Sequence, residues 1–246
     1  MNRMGRATLL LVIAVFIGQL IRTNRDTSFV QLRMRIPLIQ AAVMLLAFGL
    51  IEAFLGYREE AEDPDAPNRS ISPTIGWLLA APILVLAAVA PTTLGAAAAQ
   101  RADPLTPTEI DPQSSELDPI DDSNGPVEMR VYEFLSRALW DENESLRDQR
   151  VVLEGIVVGD DEVDDGFLLT RFAVSCCAAD GLPLQVRLRG VDGIFADDTW
   201  VRATVVWRPP PDDRNGAEDA PNVVEADVVA IEIIDDPPDD PYENPY

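Results

Sequence analysis

Cys176 and Cys177 stand side by side in "TRFAVSCCAADG", Thr170–Gly181, and they are the only cysteines in a chain of 246 residues. The chain contains no histidine and no lysine. Those absences exclude Ser-His-Asp and Cys-His pairs, histidine-ligated zinc, Schiff-base chemistry and a phosphate-binding P-loop lysine. Carboxylates, arginines, tyrosines and two thiols remain. One use of the thiols is a soft-metal site in which Cys177 and Asp180 converge across a turn, with Cys176 or a partner protein adding a ligand. Two thiolates and a carboxylate suit zinc or copper(I), although a structural zinc site takes four protein ligands and no obvious fourth is present. A redox pair is a second use, but adjacent cysteines do not have the C-x-x-C spacing. A disulfide between neighbours would also need a strained ring. The third use is packing. Neighbouring residues on a strand face opposite sides, so one thiol would point into the core and the other outward.

A second candidate is Glu52, the one acid inside an apolar block. An ionisable residue within a membrane span marks a functional site, unless it lies near enough to the helix end to reach the interface. Three apolar blocks precede the thiols: Ala7–Ile21, Ile36–Tyr57 and Ile75–Ala99. The first has Arg3 and Arg6 before it and no small-residue cleavage site after it, so it reads as an uncleaved span. The second is long enough to cross a hydrocarbon core of about 30 Å. The third carries Trp77 at one interface, Pro82 as a kink and Pro91 near its end. Three spans are therefore expected, at about 7–22, 36–57 and 75–97, within a transmembrane region 1–100.

Charge is divided unevenly. Residues 1–101 carry nine Arg against seven Asp and Glu, while residues 102–246 carry ten Arg against thirty-five. So acidic a half does not bind nucleic acid or an anionic lipid surface by charge. Residues 101–126 are rich in Pro, Asp and Ser and read as an extended linker. Val127–Asp141 has apolar residues at helical spacing and predicts an amphipathic helix. Five β runs follow, "RVVLEGIVVGD", "GFLLTRFAVS", "LPLQVRLRG", "DTWVRATVVWR" and "NVVEADVVAIEII", separated by Gly, Asp and Pro turns. One helix and five short strands over 127–235 predict a small mainly-β domain, an OB-like partly open barrel, with a five-stranded α+β sheet as the other arrangement. Residues 236–246 hold four prolines and are expected not to continue a sheet, but to lie as a tail along the barrel through Tyr242 and Tyr246.

This layout resembles the YcgQ-like family of uncharacterised bacterial membrane proteins, encoded beside a YcgR-type permease. The resemblance is carried by Cys176, Cys177, Ala179 and Asp180 after an apolar strand with an Arg, and by Asp198, Trp200 and Val201. The end of the last apolar block, "APTTLGAAAAQRA", and the Pro-Tyr tail carry it too. It implies an accessory role beside a permease, in handling a metal ion such as zinc. Some members carry a His-rich run between the second and third spans. Here that loop, Arg58–Ser70, has no His. The expectation is thus a non-enzymatic, multi-pass protein of the cell membrane that works with a permease and contacts zinc or copper(I) through Cys176, Cys177 and Asp180. The alternatives are a membrane-anchored thiol redox protein and a structural subunit with core cysteines. Arginine counts on the two sides of three spans nearly balance, and the basic, uncleaved first span places the C-terminal domain outside the cytoplasm.

Overall fold

The computed structural model describes residues 3–62, 93–102, 120, 123, 125–160, 162, 165–191, 193–210, 223–235, 238 and 240–244. They form two compact units, Met1–Thr92 and Thr93–Tyr246.

The first unit is a helical hairpin of α1, Arg3–Arg22, and α2, Arg35–Glu62. Neither helix has a polar face, because apolar side chains run all round each one. Both are long and apolar enough to cross a membrane. The twenty residues of α1 rise about 30 Å, the thickness of a hydrocarbon core. The inner seam uses small residues, with Ala7 and Ala14 buried, while Val43, Met44, Phe48, Ile51 and Phe54 of α2 are exposed. Such a surface suits lipid, in which a protruding apolar side chain has no hydrophobic driving force to be buried.

The hairpin tip is tied by Arg35. Its Nη2 donates to the carbonyl of Ile21 at 2.8 Å and to Asn24 Oδ1 at 2.8 Å, and its Nε lies 3.3 Å from buried Asp26. One guanidinium thus adds a second donor to a carbonyl at the end of α1, which also accepts the Asn24 N–H at 3.2 Å, and holds the start of α2 beside it.

Among the described residues two long apolar helices are present, not three. Most of the expected third span, residues 75–92, lies outside the described residues. Its expected end does not behave as a span. Residues 93–102 belong to the second unit, where Ala96–Ala99 form a short helix, α3. The Ala96 N–H donates to Asp198 Oδ1 at 2.5 Å, and Ala96 and Ala99 are buried against the sheet domain. The run of alanines is apolar enough to extend a hydropathy signal, but its small side chains also allow close packing on a soluble core.

The second unit contains β1 Val127–Glu128, α4 Val131–Trp140, β2 Arg150–Val158, β3 Gly166–Ala173, β4 Leu182–Arg189, β5 Trp200–Arg208, β6 Val224–Ile233 and β7 Tyr242–Glu243. These form a mixed seven-stranded sheet in the order β1-β2-β5-β6-β4-β3-β7. The expected OB-like barrel is corrected to this sheet. β2 runs beside β5 from Arg150 to Ile156, but meets β3 only at Ile156, Val157 and Val158. That short contact leaves the barrel unclosed. Parallel pairings of β1 with β2, β4 with β6 and β3 with β7 make the sheet mixed.

Val131, Phe134 and Leu135 of α4 pack with Val151, Leu153, Leu169, Leu184, Val186, Val201, Ala203 and Val205 in the main core. A second, smaller core joins Ala96, Ala99, Ile156, Val158, Phe172, Val174 and Tyr242, with Leu94 and Ala178 packed against it. The tail therefore does extend the sheet, contrary to expectation. β7 is only two residues long and sits at an edge, where Pro241 before it removes no needed ladder bond. Tyr242 is buried, while Tyr246 lies outside the described residues. The 101–126 linker reading falls mainly on residues 103–119, also outside them.

Candidate functional site: the thiol turn

β3 ends at Ala173 and β4 begins at Leu182, so the thiols lie in the connection between two antiparallel strands. The strand stops where Val174 gives its N–H to the carbonyl of Glu243. Cys177 is extended, and a single 3-10 turn, Ala178–Asp180, follows. The turn is closed by Asp180 N–H donating to the Cys177 carbonyl at 2.9 Å.

Asp180 then folds back over the turn. Its Oδ1 accepts the Ser175 N–H at 3.1 Å, and its Oδ2 accepts the Cys176 N–H at 2.9 Å. The Cys176 thiol donates to the same Oδ2 at 3.0 Å. An aspartate that bonds to backbone a few residues away is a common way to close a turn. Here it also captures a thiol.

The outcome differs from a strand-end core pair. Cys176 is exposed and Cys177 half-buried, and both are free thiols. Because the chain has left the strand before Cys176, alternation no longer sends the two thiols to opposite faces. Potential ligand atoms of Cys176, Cys177 and Asp180 all lie within 4.8 Å of one another.

The hydrogen bond to Asp180 holds the Cys176 thiol proton, with Cys177 adding a second bond, and pushes its pKa up to about 11. Burial opposes ionisation of Asp180. Hydrogen bonds from the Cys176 thiol and from the Cys176, Ser175 and Cys177 backbone outweigh it and hold the carboxyl below its usual range. The turn therefore rests as a thiol shared with a carboxylate. A thiol in that state is a weak nucleophile.

The geometry fits a soft ion. Thiolate ligands at about 2.3 Å from zinc in a tetrahedral shell lie about 3.8 Å apart, and the three candidate ligand atoms here already lie within 4.8 Å of one another. Cys176, Cys177 and Asp180 would supply two sulfurs and one oxygen, and the ion would take the place of the thiol protons.

Glu52 belongs to the first unit. Its Oε2 lies 3.3 Å from Arg6 Nη2 and 3.7 Å from Arg3 Nη1. Two arginines from the start of α1 thus neutralise the one acid of the α2 apolar block. That arrangement reads as an ion pair joining the two helices, not as an open coordination site.

A second polar cluster was not foreseen. Glu243 accepts the Val131 N–H at 2.8 Å and the Tyr132 N–H at 2.7 Å, so it caps α4 from the far end of the sequence. Arg171 lies beside it, with Nε 3.7 Å from Glu243 Oε1, Nη2 donating to the Asp240 carbonyl at 2.9 Å and its guanidinium 5.1 Å from the Trp200 ring. Burial raises the Glu243 pKa and lowers that of Arg171, each opposed by the partner's charge. A cleft of about 400 Å³ opens here, lined in part by Glu128, Arg130, Glu154 and Arg171. The signal available in the sequence was Arg171 itself, a charge inside the apolar run "LLTRFAV".

No family model matches the chain, and no curated protein matches it. Among solved structures, the chain is similar to the crystal structure of a putative aspartyl-tRNA synthetase from Leishmania major Friedlin. The identity is 11% and the TM-score 0.28, over 48% of this chain and 23% of that one. The chain thus spans under a quarter of that protein's length, and a likeness at this level carries no argument about activity.

Proposed function

We propose that this chain is a membrane-anchored, non-enzymatic accessory protein whose sheet domain binds a soft metal ion, zinc or copper(I), through Cys176, Cys177 and Asp180. The observation that carries this reading is the convergence of two thiols and a carboxylate within 4.8 Å on one solvent-facing turn. The α1–α2 hairpin supports the anchor. A permease as the partner and a multi-pass topology in the cell membrane rest on the sequence reading, in which the Cys-Cys-x-Ala-Asp motif resembles the YcgQ-like family. The thiol-redox alternative is weakened by the adjacent spacing, which is not the C-x-x-C arrangement of redox pairs.

The test is a competition titration of the detergent-solubilised full chain against a chromophoric zinc chelator and, separately, a copper(I) chelator. One equivalent of one of these metals should bind tightly. The Cys176→Ala and Cys177→Ala variants should each lose it, with the thermal midpoint nearly unchanged. Tight binding that survives both substitutions would place the metal on surface carboxylates and overturn the reading, as would no binding by the unaltered chain.

A further inference from the structure

The thiol turn does not stand free of the rest of the sheet domain. Leu94 lies directly against it: a Cβ placed on Gly181, the residue after Asp180, would collide with Leu94 Cδ1. The same Cβ would stand 3.3 Å from the Ala178 carbonyl oxygen and 3.5 Å from Val174 Cγ2. Gly181 is thus the floor on which Leu94 and the flanks of the turn meet. Leu94 and Ala178 both pack on the second core, which also contains Val174 and Tyr242.

Leu94 is held in place from two sides. Its N–H donates to the Tyr242 hydroxyl at 3.2 Å, and two residues later the Ala96 N–H donates to Asp198. Asp198 has a left-handed backbone (φ 67°), a conformation that an aspartate tolerates better than most residues. Gly95, between the two anchored amides, has no room for a side chain, because an added Cβ would stand 2.5 Å from Asp198 Oδ1. Residues 94–96 therefore form a short, fixed stretch immediately after the point where the chain enters the sheet domain.

We propose that Leu94 is a positioning residue for the Cys176–Asp180 turn, so that the chain entering the domain at Thr93 and the geometry of the thiols are coupled. Withdrawal of Leu94 from Gly181 frees the turn to open, and closure of the turn around a ligand favours Leu94 in place. Coupling of this kind acts through packed side chains with two arrangements and works in both directions. The proposal takes the metal from the preceding reading, but the coupling itself concerns the thiols and is measurable without metal.

The experiment uses the full chain in detergent with Leu94→Ala, Leu94→Met and Val205→Ala. Val205 is buried in the main core and belongs to a different cluster, so its truncation reports general loosening. Three quantities are read: the rate of thiol alkylation by iodoacetamide at fixed pH, zinc affinity by chelator competition, and the urea midpoint. Leu94→Ala should change the alkylation rate by about threefold or more. It should also weaken zinc binding by about tenfold, the scale on which residues supporting a ligand shell act. Leu94→Met, which refills the space, should stay within about twofold of the unaltered chain in both. Val205→Ala should lower the urea midpoint and leave both site readouts unchanged. Equal alkylation and affinity in Leu94→Ala and the unaltered chain would overturn the proposal. So would equal changes in Val205→Ala. If the unaltered chain binds neither zinc nor copper(I), the metal reading fails while the alkylation comparison still decides the coupling.

Discussion

Two carboxylates attach to the same end of β3 and do opposite things. Glu243 is buried, takes two amide protons from the first turn of α4 and sits beside Arg171. Asp180 lies on the turn that follows β3, takes two amide protons from Ser175 and Cys176, and shares a third proton with a thiol. Their pKa values move in opposite directions, Glu243 up because burial dominates and Asp180 down because its hydrogen bonds outweigh burial. A carboxylate whose partners are fixed amides and a buried guanidinium is part of the scaffold. A carboxylate that shares a proton with an exposed thiol holds something that a metal ion can replace.

The comparison breaks most visibly at Glu243. Glu243→Ala leaves Arg171 without its facing charge and two helix-start amides without their acceptor. Removing one member of a buried charged pair costs about 3–5 kcal/mol, so this variant should show a large fall in urea midpoint, followed by tryptophan fluorescence. A change under about 1 kcal/mol would show that the cap is dispensable.

Acid titration separates the two carboxylates by sign. Glu243 has a folded pKa above its ordinary 4.5, so its contribution is fully present below that value and is lost as pH rises through the folded pKa. Asp180 has a folded pKa below its ordinary 3.8, so its contribution is present above that value and is lost as pH falls through the folded pKa. Urea midpoints of the full chain should therefore fall less between pH 4 and pH 7 in Glu243→Gln than in the unaltered protein. Asp180→Asn should instead flatten the loss of stability below pH 4. Matching pH profiles for the two variants would erase the distinction.

The smallest expected effect on folding is that of Asp180→Asn at neutral pH. The amide oxygen still accepts one backbone N–H, so the cost should be about 1 kcal/mol. The same change removes the charge that faces a metal, so metal affinity should fall by far more than stability does. A stability loss with no change in affinity would make Asp180 a turn residue and nothing else.

What the sequence showed and what it concealed follow from the range of the interactions. Short β runs bounded by Gly, Asp and Pro turns place β2 to β6, and β5 alternates cleanly because it buries one row, Val201, Ala203, Val205 and Trp207, against a core. The apolar periodicity of Val131, Phe134 and Leu135 places α4 for the same reason. Asp180 stands four residues beyond Cys176, close enough for local turn chemistry to bring them together. Glu243 is the opposite case. The N-cap position of α4 is Arg130, which supplies no capping oxygen, and the acceptor comes from a strand more than a hundred residues later. No local pattern announces such a pair. The stretch Leu94–Ala99 misleads in another way, because Ala and Leu suit a membrane and a tight protein seam equally well. The barrel expectation failed on the brevity of the β2–β3 contact, a pairing of neighbouring strands whose extent strand lengths alone do not reveal.

The central claim is that the thiol turn is a metal centre. X-ray absorption at the metal edge, on the full chain loaded with one equivalent of zinc, examines the ligand atoms themselves. The account predicts two sulfur scatterers at about 2.3 Å together with at least one oxygen at about 2.0–2.2 Å, and loss of one sulfur in Cys176→Ala. A first shell of oxygen alone, unchanged by that substitution, would contradict it.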